Sequence, residues 1–276
     1  MITGMPRIAI AAGDFDAMIT TFRDIFGFPV LDVSSTTVDS MGARLAMCVP
    51  PGGSNIELMC PANPEAPLSQ SLQRFLDRRG QGLFALMLEA AVPDDEAQIL
   101  IDKGLNVLPV MQGAAGRDVH PKSTHGVLIR VYPIKSFDEQ LVETEQSLNL
   151  SGVVRVMIAV DDIDRAVSVY GEGLGLPADP VVSDENQGVI TALCYPPTGG
   201  VIQLIAANDS SKPLAKSVSA HVEDKGEGMY ALVLQAPDID KAVAGLKSRG
   251  LNIQAGADGV MEAEVHGARI RIEPAG

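Results

Sequence analysis

Tryptophan is absent from this sequence, aromatic residues make up only 4% of it, and its three cysteines, Cys48, Cys60 and Cys194, lie far apart. So few aromatics exclude a stacking platform for single-stranded nucleic acid. Three scattered thiols build neither a disulfide framework nor a CxxC zinc site, and Cys48 and Cys194, both inside apolar runs, read as buried. Basic charge is scarce too: 21 Lys and Arg stand against 35 Asp and Glu, for a net charge of -14, and no basic run occurs. That balance argues against a phosphate-backbone binder, so no nucleic-acid partner is expected. No segment approaches the roughly 20 apolar residues of a membrane span, and the start of the chain lacks the regions of a signal peptide. A soluble, cytoplasmic protein with no membrane partner is therefore expected. Gly-rich phosphate loops, nucleophile elbows and catalytic triads are missing, so no cofactor is expected, and the four histidines have no spacing diagnostic of zinc.

What the sequence does contain is a repeat. His120 to Pro133 reads His-Pro-Lys-Ser-Thr-His-Gly-Val-Leu-Ile-Arg-Val-Tyr-Pro, and Glu262 to Pro274 reads Glu-Ala-Glu-Val-His-Gly-Ala-Arg-Ile-Arg-Ile-Glu-Pro. In both, a His-Gly turn leads into an apolar strand with an Arg five residues after the His. The match extends along the chain in constant order. Pro6 to Ala17 answers Val154 to Arg165, Gly27-Phe28-Pro29 answers Gly175-Leu176-Pro177, and Cys48-Val49-Pro50-Pro51 answers Cys194-Tyr195-Pro196-Pro197. Gly80-Gln81-Gly82 likewise answers Gly226-Glu227-Gly228. Such ordered self-similarity means a duplicated unit.

Each copy starts with an apolar strand (Ile8 to Ala12; Val156 to Val160) and an acidic cluster suited to a helix N-terminus. Helical spacing follows over 15–26 and 163–173, stopped by Gly27 and Gly175. Short β-rich runs come next, around 30–38, 43–50 and 54–60, with Pro-Pro-Gly-Gly at 50–53 as a tight turn. A second unit begins near Leu83, with Asp94 to Lys103 as its helix, Gly104 as its stop and the strand led by His-Gly at its end. The reading is α+β: four βαβββ units in two tandem modules, 1–133 and 153–276, joined by a polar connector over 134–152 that holds Glu139, Glu143 and Glu145.

Four βαβββ units, a Gly-x-Gly leading each second-unit strand, and His-Pro-Lys-Ser-Thr-x-Gly-Val-Leu-Ile at 120–129 resemble the vicinal oxygen chelate superfamily of glyoxalases, bleomycin-resistance proteins and dioxygenases. Module one looks most similar to the methylmalonyl-CoA epimerase and glyoxalase branch. The resemblance implies cup-shaped mixed sheets whose floor holds a divalent metal, bound by His, Glu or Gln, His and Glu. Carried over, those positions are Arg7, Glu57, Ala85 and Arg130 in module one, and Arg155, Gln203, Ala231 and Arg271 in module two. Arginine donates but cannot ligate a cation, and alanine has no ligand atom, so no metal is expected at either place.

Two outcomes are open for the replaced ligands. Arg7, Glu57 and Arg130 can close into a structural ion pair, while Arg155, Gln203 and Arg271 lack an acid at the equivalent position. Either Glu262, Glu264 or Glu273 supplies one, or the cup binds an anion through its arginines. If the units pair first with fourth, one site instead collects Arg7, Glu57 and Arg271. His125 and His266 are candidate acid–base groups at the cup rim or else turn residues, and Tyr230 is a candidate phenol donor or else core, as Phe84 is. Lys122, Ser123 and Thr124 form a weak candidate phosphate loop. Two function classes follow: a metal-independent isomerase or lyase acting on a small anionic or carbonyl-bearing molecule, and a non-catalytic binder that sequesters one. A glyoxalase- or dioxygenase-like enzyme with a relocated metal is the weaker alternative, and a monomer or homodimer is expected.

Overall fold

In this computed structural model the described residues are 1–111, 115–137 and 148–276. The first half contains β1 (Ile2–Ala11), α1 (Phe15–Thr20), β2 (Val30–Asp32), α2 (Ser34–Met41), β3 (Ala43–Cys48), β4 (Asn55–Pro61) and α3 (Pro67–Arg79). It continues with β5 (Gly82–Ala90), α4 (Pro93–Asp102), β6 (Arg117–Val119) and β7 (Leu128–Pro133). The second half repeats this plan with β8 (Arg155–Ala159), α5 (Ile163–Val167), β9 (Val182–Asp184), β10 (Val189–Cys194), β11 (Val201–Ala207) and α6 (Pro213–Lys225). It closes with β12 (Gly228–Ala236), α7 (Ile239–Ser248), β13 (Gln254–Ala255), β14 (Met261–Val265) and β15 (Ala268–Pro274). Glu139, Glu143 and Glu145 of the expected connector lie outside the described residues.

Local chemistry explains the helix starts. Asp14 accepts from the Ala17 N–H at 2.9 Å and Asp162 from the Arg165 N–H at 3.0 Å, so each acidic cluster supplies a cap. α1 and α5 are short and run on as a wide π-turn, Thr21–Ile25 and Ser168–Gly173, before the left-handed Gly27 and Gly175.

Two sheets result, ordered β2-β3-β4-β1-β5-β7-β6 and β13-β14-β15-β12-β8-β11-β10-β9. β1 pairs with β5 and β8 with β12, both antiparallel, so consecutive units share a sheet and the alternative pairing of first with fourth is excluded. Alternation along the strands then sorts the side chains. Ile8, Ile10, Leu86 and Ile129 join Val156, Ile158, Leu232 and Ile270 in one core that spans both sheets. On the opposite face of the first sheet, Ala9, Ala11, Ala43, Ala85, Met59 and Met87 form a floor on which α3 lays Leu68 and Leu72. Four alanines let the helix approach closely. In the second sheet Ala159, Ala231 and Met157 receive Leu214, Ala215 and Val218 of α6.

The structure departs from the expectation in three places. Residues 30–38 are not continuous β: β2 ends at Asp32, whose carboxylate accepts from the Ser34 N–H at 2.9 Å and turns the chain into α2, which Gly42 stops in a left-handed conformation. α3 and α6 occupy stretches for which the βαβββ reading provides no helix. In the second unit the first strand after α4 shrinks to an isolated bridge between Val107 and Val119.

Candidate functional site

The floor of each cup carries the replaced ligand positions. In the first, Arg7 Nε donates to Glu57 Oε2 at 2.9 Å, both side chains buried, and its guanidinium lies 4.8 Å from the Tyr132 ring centroid. Arg130 does not join that pair. β6 and β7 place Asp118 directly opposite it, and Arg130 donates to Asp118 Oδ2 at 3.2 Å while covering Phe84 at 5.4 Å. Burial raises the Asp118 pKa, with Arg130 opposing the rise. The expected closure of Arg7, Glu57 and Arg130 on one carboxylate is therefore two separate pairs.

In the second cup the missing acids arrive. Arg155 donates to Glu273 Oε1 at 2.5 Å, and Arg271 pairs with Asp258, from the turn between β13 and β14, and faces Glu262 Oε2 at 3.8 Å. Glu264 does not take part: it lies along β14 opposite Arg269. Gln203 Oε1, Arg155 Nε and Arg271 Nε are buried without a hydrogen-bond partner, against Arg130 Nε alone in the first floor, so this floor is less fully satisfied than the first.

A divalent metal fits neither floor. The only carboxylate at an ancestral position, Glu57, is engaged by a guanidinium, and a cation beside Gln203 would meet Arg155 and Arg271. Among the described residues no group of three or more His, Cys, Asp and Glu could hold a metal ion.

The histidines are placed at the junction of the halves. His125 and His266 adopt left-handed backbone conformations ahead of Gly126 and Gly267. His125 Nδ1 lies 2.8 Å from Glu227 Oε1, which also accepts from the Asp161 N–H at 3.0 Å. His266 Nε2 lies 3.0 Å from Thr21 Oγ1, and burial lowers its pKa. Neither histidine lines a cup rim. The backbone-capping role falls to His120, whose Nδ1 accepts from the Lys122 N–H at 3.0 Å. The two glycine motifs explain one another here. A Cβ at Gly126 would stand 1.8 Å from the Glu227 carbonyl oxygen, and one at Gly267 would stand 2.0 Å from that of Gln81. Each His-Gly turn is thus seated on the Gly-x-Gly segment of the other half.

Beside this junction opens a cleft of about 450 Å³, walled by α3 and β5 on one side and by α6, β12 and β15 on the other. Tyr230 and Phe84 line it, as do Lys122 and Arg269. The Tyr230 hydroxyl is 2.8 Å from Ser217 Oγ, and the Arg269 guanidinium stacks 4.2 Å from the Tyr230 ring centroid. His221 meets that ring edge-on at 5.3 Å. Desolvation, then Lys225, Arg269 and Arg79, lowers the His221 pKa to about 4, so the imidazole is neutral at physiological pH. Arg269, Ser217 and His221 were not singled out from sequence as site residues. The available signal was helical spacing, His221 four before Lys225 and Arg74 four before Arg78, which places each pair on one face.

Residues 155–265 match the model of the Glyoxalase/Bleomycin resistance protein/Dioxygenase superfamily. That match lies within the second module, and the whole chain has the tandem vicinal oxygen chelate fold. A triple mutant of 4-hydroxymandelate synthase from Streptomyces coelicolor superposes with a TM-score of 0.70 at 14% identity, over 99% of this chain and 92% of that one. A methylmalonyl-CoA epimerase variant from Streptomyces coelicolor, in complex with 2-nitronate-propionyl-CoA, matches at 27% identity and a TM-score of 0.40, over 48% of this chain and 96% of its own. A hypothetical protein from Bacillus halodurans C-125 matches at 23% identity and a TM-score of 0.41, over 49% of this chain and 97% of its own. Comparison with curated protein sequences yields no match.

Proposed function

We propose that this protein binds a small, negatively charged or carbonyl-bearing molecule in the cleft between its modules, and that it does so without a metal. One observation carries the reading: the arginines standing at ancestral ligand positions, Arg7, Arg130, Arg155 and Arg271, each face a carboxylate. An anion entering the second cup would meet Glu273, Asp258 and Glu262 around the arginines meant to hold it, and α3 and α6 fill the apolar half of both cups. The cleft offers the volume of a small-molecule site, apolar walls and free donors. Thermal-shift measurements on chelator-treated protein test the proposal. Small phosphates or carboxylates are expected to raise Tm, and Met229→Trp, which fills the cleft, is expected to abolish the effect. Stabilisation that requires an added divalent metal would refute it.

An isomerase or lyase is the second reading, favoured by the phenol of Tyr230 in the cleft wall with Ser217 at 2.8 Å and Arg269 over its ring. In that reading Tyr230 moves a proton at a carbon next to the substrate carbonyl while Arg269 stabilises the oxyanion. Proton exchange in heavy water, lowered on the order of 100-fold in Tyr230→Phe, would support catalysis; binding with no exchange in the wild type would leave binding alone.

A further inference from the structure

Six cationic side chains line the cleft, Arg74, Arg78, Arg79, Lys122, Lys225 and Arg269, against a single acid, Glu264. The chain carries 35 acids for 21 Lys and Arg, so counter-charges are plentiful. Yet among the described residues only Arg269 of these six has an acidic partner, Glu262 Oε1 at 3.8 Å. The arginines on the floors of both cups, by contrast, each have a carboxylate partner. Complementing the helix dipole accounts for Arg78, Arg79 and Lys225 at the C-terminal ends of α3 and α6. It does not account for Lys122, from the loop before β7, or Arg269, on β15, converging on the same space. The two helix ends come from different modules, and Arg79 reaches over the junction: its Nη1 lies 3.5 Å from where a Cβ on Gly228 would stand.

The duplication supplies a second observation. Phe75, Phe84 and Leu128 on the first module's side correspond in the repeat to His221, Tyr230 and Arg269 on the second module's side, and all six line the cleft. Equivalent positions have become apolar on one wall and polar on the other. A site that is asymmetric at symmetry-related positions fits a ligand with two unlike ends.

We propose, building on the cleft reading above, that the ligand is a phosphomonoester of a flat apolar group, with its phosphate held by Arg79, Lys225 and Arg269 and its body against Phe75, Phe84 and Leu128. A phosphate dianion presents three strong acceptor oxygens to cations arriving from three separate elements, whereas a monocarboxylate would leave most of that charge unanswered. Neutral His221 and the Tyr230 hydroxyl are positioned to hydrogen-bond the atoms joining the two ends.

Isothermal titration calorimetry of the full chain at pH 7.5 and low salt, with phenyl phosphate as probe and phenol and inorganic phosphate as fragments, tests this. Phenyl phosphate is expected to bind more tightly than either fragment, and to lose at least about tenfold in affinity in the Arg79→Gln, Lys225→Gln double variant. Both residues are exposed, so folding is preserved. Phenyl phosphate binding no tighter than phenol, or indifferent to the double variant, would overturn the phosphomonoester assignment. The cleft reading would survive that result if phenol binding is lost in Met229→Trp. Inorganic phosphate binding as tightly as phenyl phosphate would overturn the two-ended site. Failure of all three probes to bind the wild type would overturn the cleft reading as well.

Discussion

Arg7 and Glu57, at positions where the family resemblance implies metal ligands, form a buried ion pair. A carboxylate that would ligate a cation instead accepts from a guanidinium at 2.9 Å, with both side chains under 10% exposed. Breaking it is expected to be costly: Glu57→Ala leaves Arg7 buried and uncompensated and should lower stability by about 3–5 kcal/mol in denaturant unfolding. Replacing both, as Arg7→Met with Glu57→Leu, should restore most of that loss. Glu57 was legible in the sequence because the family resemblance implies a ligand there and the repeat sets it opposite Gln203. Asp118 and Asp258 were not, since their service to Arg130 and Arg271 depends on how β6 meets β7 and where the turn after β13 folds, and strand register is a tertiary property. His221 yields a pH prediction. Its folded pKa, about 4, lies below the ordinary 6.5, so the unfolded chain takes up the proton first. The stability this contributes is complete above pH 6.5 and is lost as pH falls toward 4. His221→Asn should therefore flatten the Tm-against-pH curve between those values.

Among the elements, α3 and α6 decide the shape of the site, and they were the largest omission of the sequence reading. Their pattern was present: Leu68, Leu72, Phe75 and Leu76 follow helical spacing after Pro67, as Leu214, Val218 and Val222 follow Pro213. A βαβββ template assigns that stretch only to a connection, which masks its amphipathic signal. α2 was obscured for a different reason. Ser34-Ser35-Thr36-Thr37 are weak helix formers, and the Asp32 turn and Gly42 stop make the helix despite them. Strands, α1, α4 and the glycine stops were legible because apolar periodicity and local capping agree there. Leu72 is fully buried between α3 and the alanine floor, so Leu72→Ala should cost about 2–5 kcal/mol. Because α3 also carries Arg74, Arg78 and Arg79, weakening its seat should reduce ligand binding in the cleft as well as Tm.

At the scale of the whole molecule, two halves with separate sheets share one core and lock through reciprocal turns. Gly126→Ala drives a methyl group to 1.8 Å from the Glu227 carbonyl oxygen, at a left-handed φ of 77°. The expected result is a loss of about 1–3 kcal/mol, together with weaker ligand binding because the junction forms one edge of the cleft. The repeat told how many modules to expect, but the cleft between them depends on how they dock, which no local pattern encodes. We propose that paired arginines stand where the family resemblance implies a metal in each module. Elemental analysis of the purified chain, after incubation with divalent cations and gel filtration, tests it most directly. The account predicts metal far below one equivalent per chain; a stoichiometry near one per module would contradict it.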